Sequence, residues 1–476
     1  MSIAHQIAER IHAPRFEDLS QTALTWTSHA FIDTIACALA GMAEEAPHIL
    51  LTIPGVAESS GPATIWATDR KTSVLDAALV NGTASHALDY DDVSGVMGGH
   101  PSAMLVPSMM ALGESIGASG RELMLAYVVG YEAECRIARG VHFHHYDKGW
   151  HPTATIGIFG TVAAASRLLR LTVEQTAVAL ALAASFASGL KANFGTMTKP
   201  LHVGHASRNG LFAAFMARGG YTANPDVFEH KQGFLDVFNG PGTYDVNRML
   251  TNWYSPYECE GIGEPGLKPY PCCGSTHASV NRMIALSREY DLHANDIETI
   301  EVLPHLRRLP HTDNPDPHSP LEAKFSIQYC VARALTDRAV RLDHFENGAE
   351  NDPGTRALMP KIHARPHPDM PADGKFQWGA EVIVHTLDGR RLASRVDDYE
   401  RCGPGGQMMS RDELWTKFSD CAGRTLPQAA VSALFEQLRS LSDVTNVTQL
   451  TNLLRYAGPR NMSPTAQGKE PDHARF

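Results

Sequence analysis

Residues 86–103, HALDYDDVSGVMGGHPSA, place Asp89, Asp91, Asp92, His86 and His100 in one short segment between two apolar stretches. Asp89 and Asp92 are three apart and share a helix face if the helix runs on. Proton abstraction needs a base held at a fixed place, and elimination needs an acid on the leaving group. Acids beside histidine, glycine and proline suit such a site. The plainer reading is that Asp91 and Asp92 cap a loop and His100 is a satisfied loop histidine.

Four further stretches carry ionisable groups. VHFHHYDKGWHPTATIGIFG (141–160) holds His142, His144, His145 and His151. His151, directly before Pro152, is best placed to project from a helix terminus, and the other three read as surface histidines. NFGTMTKPLHVGHASRNG (193–210) puts Lys199 in a loop of small uncharged residues that opens onto a helix. A lysine beside a helix N-terminus suits a carboxylate. GLKPYPCCGSTHAS (266–279) brings together Lys268, Cys272, Cys273 and His277, with nothing to activate either thiol. In AKFSIQY (323–329), Tyr329 sits one turn into a helix, where it would donate a hydrogen bond or pack in a core.

The elements that must position these groups change character along the chain. From about 17 to 270 the sequence reads as helices rich in Ala, Gly and Ser, with capping boxes at Ser119–Glu122 and Thr172–Gln175. Small side chains allow close helix approach, as in a compact bundle. Near 268 the pattern alternates. IETIEVLP (297–304) reads as a strand, EVIVHTLDGRRLASRV (381–396) as a hairpin about Asp388–Gly389, and FSIQYCVARALTD (325–337) as a helix. A third box, Ser410–Glu413, restarts helices to about 456. The expected fold is mainly α: a large all-helical domain (1–267), a smaller α+β domain (268–405), and C-terminal helices (406–456) that return to the first. The tail, 457–476, is polar and Pro-containing and is expected to be disordered.

Composition removes several functional classes. The formal charge of −11 is spread along 476 residues, and no clustered basic surface for nucleic acid is present. The longest apolar stretches are too short for a membrane span, and the first residues lack a signal-peptide core, so a cytoplasmic protein is expected. The eight cysteines are scattered without a CxxC pair, which leaves no frame for a cluster or structural zinc.

The segments NGTASHALDYDD, GGHPSA, GWHPTATIG, GTMTKPLH, LKPYPCC and AKFSIQY, in this order, resemble the MmgE/PrpD family. The likeness runs through nearly the whole chain. It implies the two-domain fold above, a homodimer, an active site in the cleft between domains, and cofactor-free, metal-independent chemistry on a small di- or tricarboxylate. Asp89, His100, His151, Lys199, Lys268 and Tyr329 match positions that line the pocket in the family's decarboxylase branch. In the reading adopted, His151 or Asp89 is the base, His100 the acid, and Lys199 and Lys268 hold carboxylates. Asp92, His277 and Tyr329 complete the substrate contacts. The decarboxylase branch carries Thr directly after the paired acids, where this chain has Val93. Dehydration of the 2-methylcitrate type is therefore the leading expectation, with epimerisation or decarboxylation of a related carboxylate as alternatives. A carboxylate-binding sensor on the same fold is the non-enzymatic one.

Overall fold

Small side chains decide how the helices of this protein meet. The computed structural model describes residues 1–261, 265–371, 376–398 and 402–456. α1 (Ile3–His12) and the long α2 (Gln21–Gly41) lead, followed by a short antiparallel pair, β1 (Ala63–Thr64) and β2 (Lys71–Thr72). Next come α3 (Val74–His86), β3 (Val93–Ser94), α4 (Pro101–Ile116), α5 (Gly120–Val141), α6 (Gly157–Leu168), α7 (Val173–Phe186) and α8 (Thr198–Arg218). The boxes at Ser119–Glu122 and Thr172–Gln175 both form, satisfying N–H groups that α5 and α7 cannot satisfy internally. α2 is buried along most of its length, with Ala, Ile and Cys on every side.

Backbones come close where α3 packs on α8. A Cβ on Gly204 would lie 2.3 Å from the Leu79 carbonyl oxygen, and one on Gly82 would lie 2.7 Å from Ser207 Oγ. Only glycine permits that approach. The crossing matters because α3 ends on His86 and α8 begins with Lys199 in its first turn.

The described chain divides into two compact units, one of residues 1–267 with 402–456 and one of 268–398. In the first, β3 pairs antiparallel with β4 (Pro265–Gly266), so the stretch after α3 is tied to the end of the helical run. The second holds α9 (His277–Glu289), β5 (Ile297–Pro304), α10 (Ile327–Thr336), β6 (Ile362–Ala364), β7 (Ala380–Thr386) and β8 (Arg391–Val396). Its sheet has the order β6-β5-β7-β8, with only β5 and β6 parallel. Ile300 stands opposite both Ile362 and Val384. These residues join Val280, Met283, Tyr329 and Cys330 in a core between sheet and helices. The expected strand at 297–304, the hairpin through Asp388–Gly389 and the helix opened by Ser326 are all present. α11 (Arg411–Ala422), capped by Ser410 and Glu413, packs back on α2, and α12 (Gln428–Arg439) follows. The fold is thus mainly α with a smaller α+β part. The tail at 457–476 lies outside the described residues.

Candidate active site

α3 stops at His86, and the chain turns at once. Asp89 takes a left-handed backbone conformation (φ 53°), which Asp tolerates better than most residues. The helix therefore does not run on, and Asp89 and Asp92 do not share a helix face. Instead the turn aims its three acids in different directions.

Asp89 meets Lys199, whose Nζ donates to its Oδ1 at 2.8 Å; both side chains are almost wholly buried. Asp91 sits between two imidazoles. His86 Nδ1 donates to its oxygens at 2.8–2.9 Å, and His100 Nδ1 lies 3.2 Å from Oδ2 and 2.7 Å from the Asp92 carbonyl. His100 Nε2 faces Asp89 Oδ1 at 3.6 Å. Nδ1 therefore donates to the Asp92 carbonyl, and Nε2 stands beside Asp89 beyond hydrogen-bond length. Burial alone would raise the Asp91 carboxyl, but His86 and His100 more than offset it and hold it well below the usual range.

His86 is neutral. Burial pulls its pKa down to about 4 against the pull of Asp91, and its Nε2 is buried without a hydrogen-bond partner. Its ring meets His100 edge-on at 4.4 Å and stacks on His151 at 6.0 Å. His151 caps a short helix (Pro152–Thr155) and is also held well below its ordinary value, first by burial and then by Lys199. Its Nδ1 lies 3.1 Å from Nδ1 of His202 on α8, and Phe194 closes the other side at 4.9 Å.

The four residues expected to be catalytic, Asp89, His100, His151 and Lys199, are therefore brought together in the helical unit. Asp92, expected to touch substrate, does not offer its carboxylate to a ligand. It is fully buried, with Oδ1 accepting from the Ser102 amide at 3.1 Å and Oδ2 2.6 Å from the Ser102 hydroxyl. Burial raises its pKa to about 8, so it stays protonated and braces the loop onto α4. Lys268 and His277 lie buried in the smaller unit, with His277 Nε2 donating to the Cys272 carbonyl at 3.1 Å. Tyr329, the other expected contact there, is fully buried; its hydroxyl donates to the His344 carbonyl and accepts from Arg333 Nε at 3.1 Å. It serves that unit's core.

Of the three loop histidines read as surface groups, His144 is exposed, but His142 and His145 are not. His145 is buried between Asn239 Oδ1 (3.1 Å) and Thr155 Oγ1 (2.8 Å) and stacks on Trp150, while His142 Nε2 bonds the Met97 carbonyl. They tie the loop down. His86, Asp89, Asp91 and His100 offer ligand atoms within 4.8 Å of one another, a spacing a cation could use. The Lys199 ammonium already stands against Asp89 there, and it would repel a metal ion.

Sequence reasoning noted His86 and Asp91 without giving them a role, and it missed His202 and Lys417. His202 had a signal, since it stands three residues after Lys199, on the same helix face. Lys417 had none. This lysine of α11 is buried 327 residues from its contact and donates to the Tyr90 carbonyl at 2.8 Å while pairing with Asp33 at 2.5 Å. It holds the backbone between Asp89 and Asp91.

The MmgE/PrpD N-terminal domain matches residues 5–247, and the MmgE/PrpD C-terminal domain matches 270–441. The chain belongs to the MmgE/PrpD family. Within that family it is 29% identical to the cis-aconitate decarboxylase of Homo sapiens, over 96% of this chain and 95% of that protein. It is 28% identical to the Mus musculus cis-aconitate decarboxylase, over 95% and 93%, and 26% identical to that of Aspergillus terreus (strain NIH 2624 / FGSC A1156), over 92% and 93%. These relatives favour the decarboxylase alternative over the dehydratase expectation drawn from Val93.

Proposed function

We propose that this MmgE/PrpD protein is a lyase that decarboxylates a small unsaturated tricarboxylate of the cis-aconitate type. The observation that carries the reading is the buried set Lys199–Asp89–His100–His151, in a chain similar over nearly its full length to cis-aconitate decarboxylases. Carbon dioxide leaves only from the carboxylate form, and the bond electrons must go somewhere. In a tricarboxylate with a neighbouring C=C bond they form a new double bond, while the old π pair takes a proton at its far carbon. His100, which stands beside Asp89 and Asp91, is assigned to supply that proton. Neutral His151 accepts the proton of a carboxyl group that arrives in its acid form. Lys199 exchanges Asp89 for a substrate carboxylate and stabilises negative charge as it shifts through the substrate. Lys268 is assigned to a second carboxylate. The local cations outweigh an acidic chain because a partly desolvated lysine acts at short range, where screening is weak.

Dehydration is the second reading, since Val93 departs from the Thr of the decarboxylase branch. The same groups serve it, with His151 taking a proton α to a carboxylate and His100 protonating the hydroxyl. Incubation with cis-aconitate, 2-methylcitrate, citrate and iminodisuccinate separates the outcomes. Carbon dioxide released from cis-aconitate is the expected result. Water lost from 2-methylcitrate without carbon dioxide would replace the first reading with the second. Binding without turnover of any of the four would leave a carboxylate sensor.

A further inference from the structure

We infer that His202 is a positioning residue that fixes the tautomer of His151, placing the His151 proton on Nδ1 and leaving Nε2 as a lone-pair nitrogen for the substrate. The inference rests on reading this cluster as the active site. It starts from the contact between two identical atoms, His151 Nδ1 and His202 Nδ1, at 3.1 Å. One proton lies between them, so one ring donates and the other accepts.

The role assigned to His151 decides which. Its Nε2 must be bare to take a proton from the substrate, so the shared proton belongs on Nδ1. His202 is half-buried, so its own Nε2–H can be given to water. Burial, followed by the effect of His86, holds His202 at about 4, and the ring is a neutral acceptor at physiological pH. The rings are also held in place. His151 N donates to the Gly189 carbonyl at 3.0 Å, and Gly189 (φ 130°) lies so close to His202 that a Cβ there would be 3.3 Å from the imidazole. Phe194 supports the far side of His151.

The arrangement separates the roles of two histidines: His100 is assigned as the acid, and His202 keeps His151 an acceptor at Nε2. A His151 protonated on Nε2 would compete with His100 as acid and could not take a proton.

The test is 15N NMR of full-length protein labelled at histidine, at neutral pH, with the His151 signals assigned by difference against His151→Asn. The wild type is expected to show His151 protonated at Nδ1 and bare at Nε2. His202→Phe removes the acceptor. It should shift His151 toward the Nε2-protonated form and lower kcat about tenfold to a hundredfold, the range seen when an outer partner of a working histidine is lost, with KM little changed. His202→Gln, whose carbonyl can accept, should restore the tautomer and most of kcat. A wild-type His151 protonated at Nε2, or a tautomer that His202→Phe leaves unchanged, would overturn the inference. The tautomer is read without substrate. A protein with the assigned tautomer but no turnover on the carboxylate panel would therefore sink the proposed function and leave this assignment standing.

Discussion

Replacing Asp92 with Asn asks whether a neutral buried acid braces the site loop. Asp92 ionises near 3.8 in the unfolded chain, while complete burial raises its folded value to about 8. Between those values the folded state holds a proton that the unfolded state has lost. Stability therefore falls as pH rises through that window, starting near 4 and ending near 8. Each unit is worth about 1.4 kcal/mol, so moving from pH 5 to pH 8 removes up to about 4 kcal/mol through this one group. Asn cannot titrate. Its carbonyl can accept from the Ser102 amide, and its NH2 can face the Ser102 hydroxyl, which turns to donate to Tyr127 2.8 Å away. Urea unfolding of both proteins at pH 5 and pH 8 measures the difference. The wild type should lose a few kcal/mol relative to Asp92→Asn across that interval, with KM for the substrate the same in both. Unfolding curves that shift in parallel would refute the buried, protonated state. A KM raised tenfold or more in the variant would show that Asp92 touches substrate after all.

Lys199→Met should lower kcat/KM by about a hundredfold or more, the usual loss when one donor to developing charge is removed; turnover near the wild-type value on the true substrate would remove Lys199 from the mechanism. Lys417→Met strands Asp33 in the core and should cost about 3–5 kcal/mol in denaturant unfolding. Adding Asp33→Asn should return most of that loss, and no recovery would mean the pair is not the source. Treatment with EDTA should leave turnover intact, because a lysine and not a metal ion stands against Asp89. Activity lost on chelation and restored by one divalent ion would contradict this.

Local signals proved the most readable. Capping boxes, the Asp388–Gly389 turn and the alternation of β5 each depend on a few adjacent residues, and each formed as expected. Small residues on α3 and α8 announced close packing without naming the partner helix. The site was legible as a set of motifs, because Asp89, His100, His151 and Lys199 all stand at helix ends or in the turns beside them. What the sequence hid was direction. Asp92 and Asp91 are neighbours of the same type, yet one turns to Ser102 and the other to two imidazoles, a difference set by the turn after His86 and not by composition. Tyr329 stayed open between a donor and a core role for the same reason, since a tyrosine in the first helical turn points inward or outward according to what packs on it. Lys417 was invisible because its partners lie hundreds of residues away.

That remote lysine has a consequence for how the protein is made. A ribosome delivers the loop of Asp89–Asp91 early and Lys417 late, with the whole α+β segment translated in between. Until α11 emerges and seats on α2, the carbonyl of Tyr90 lacks its clamp and Asp33 its counter-charge. The nascent helical unit thus has its acids and histidines but not the strut that sets their angles. A chain cut before α11 would carry every motif of the site and still have an unset loop, so in this fold a segment made long after the motifs determines when the site is complete.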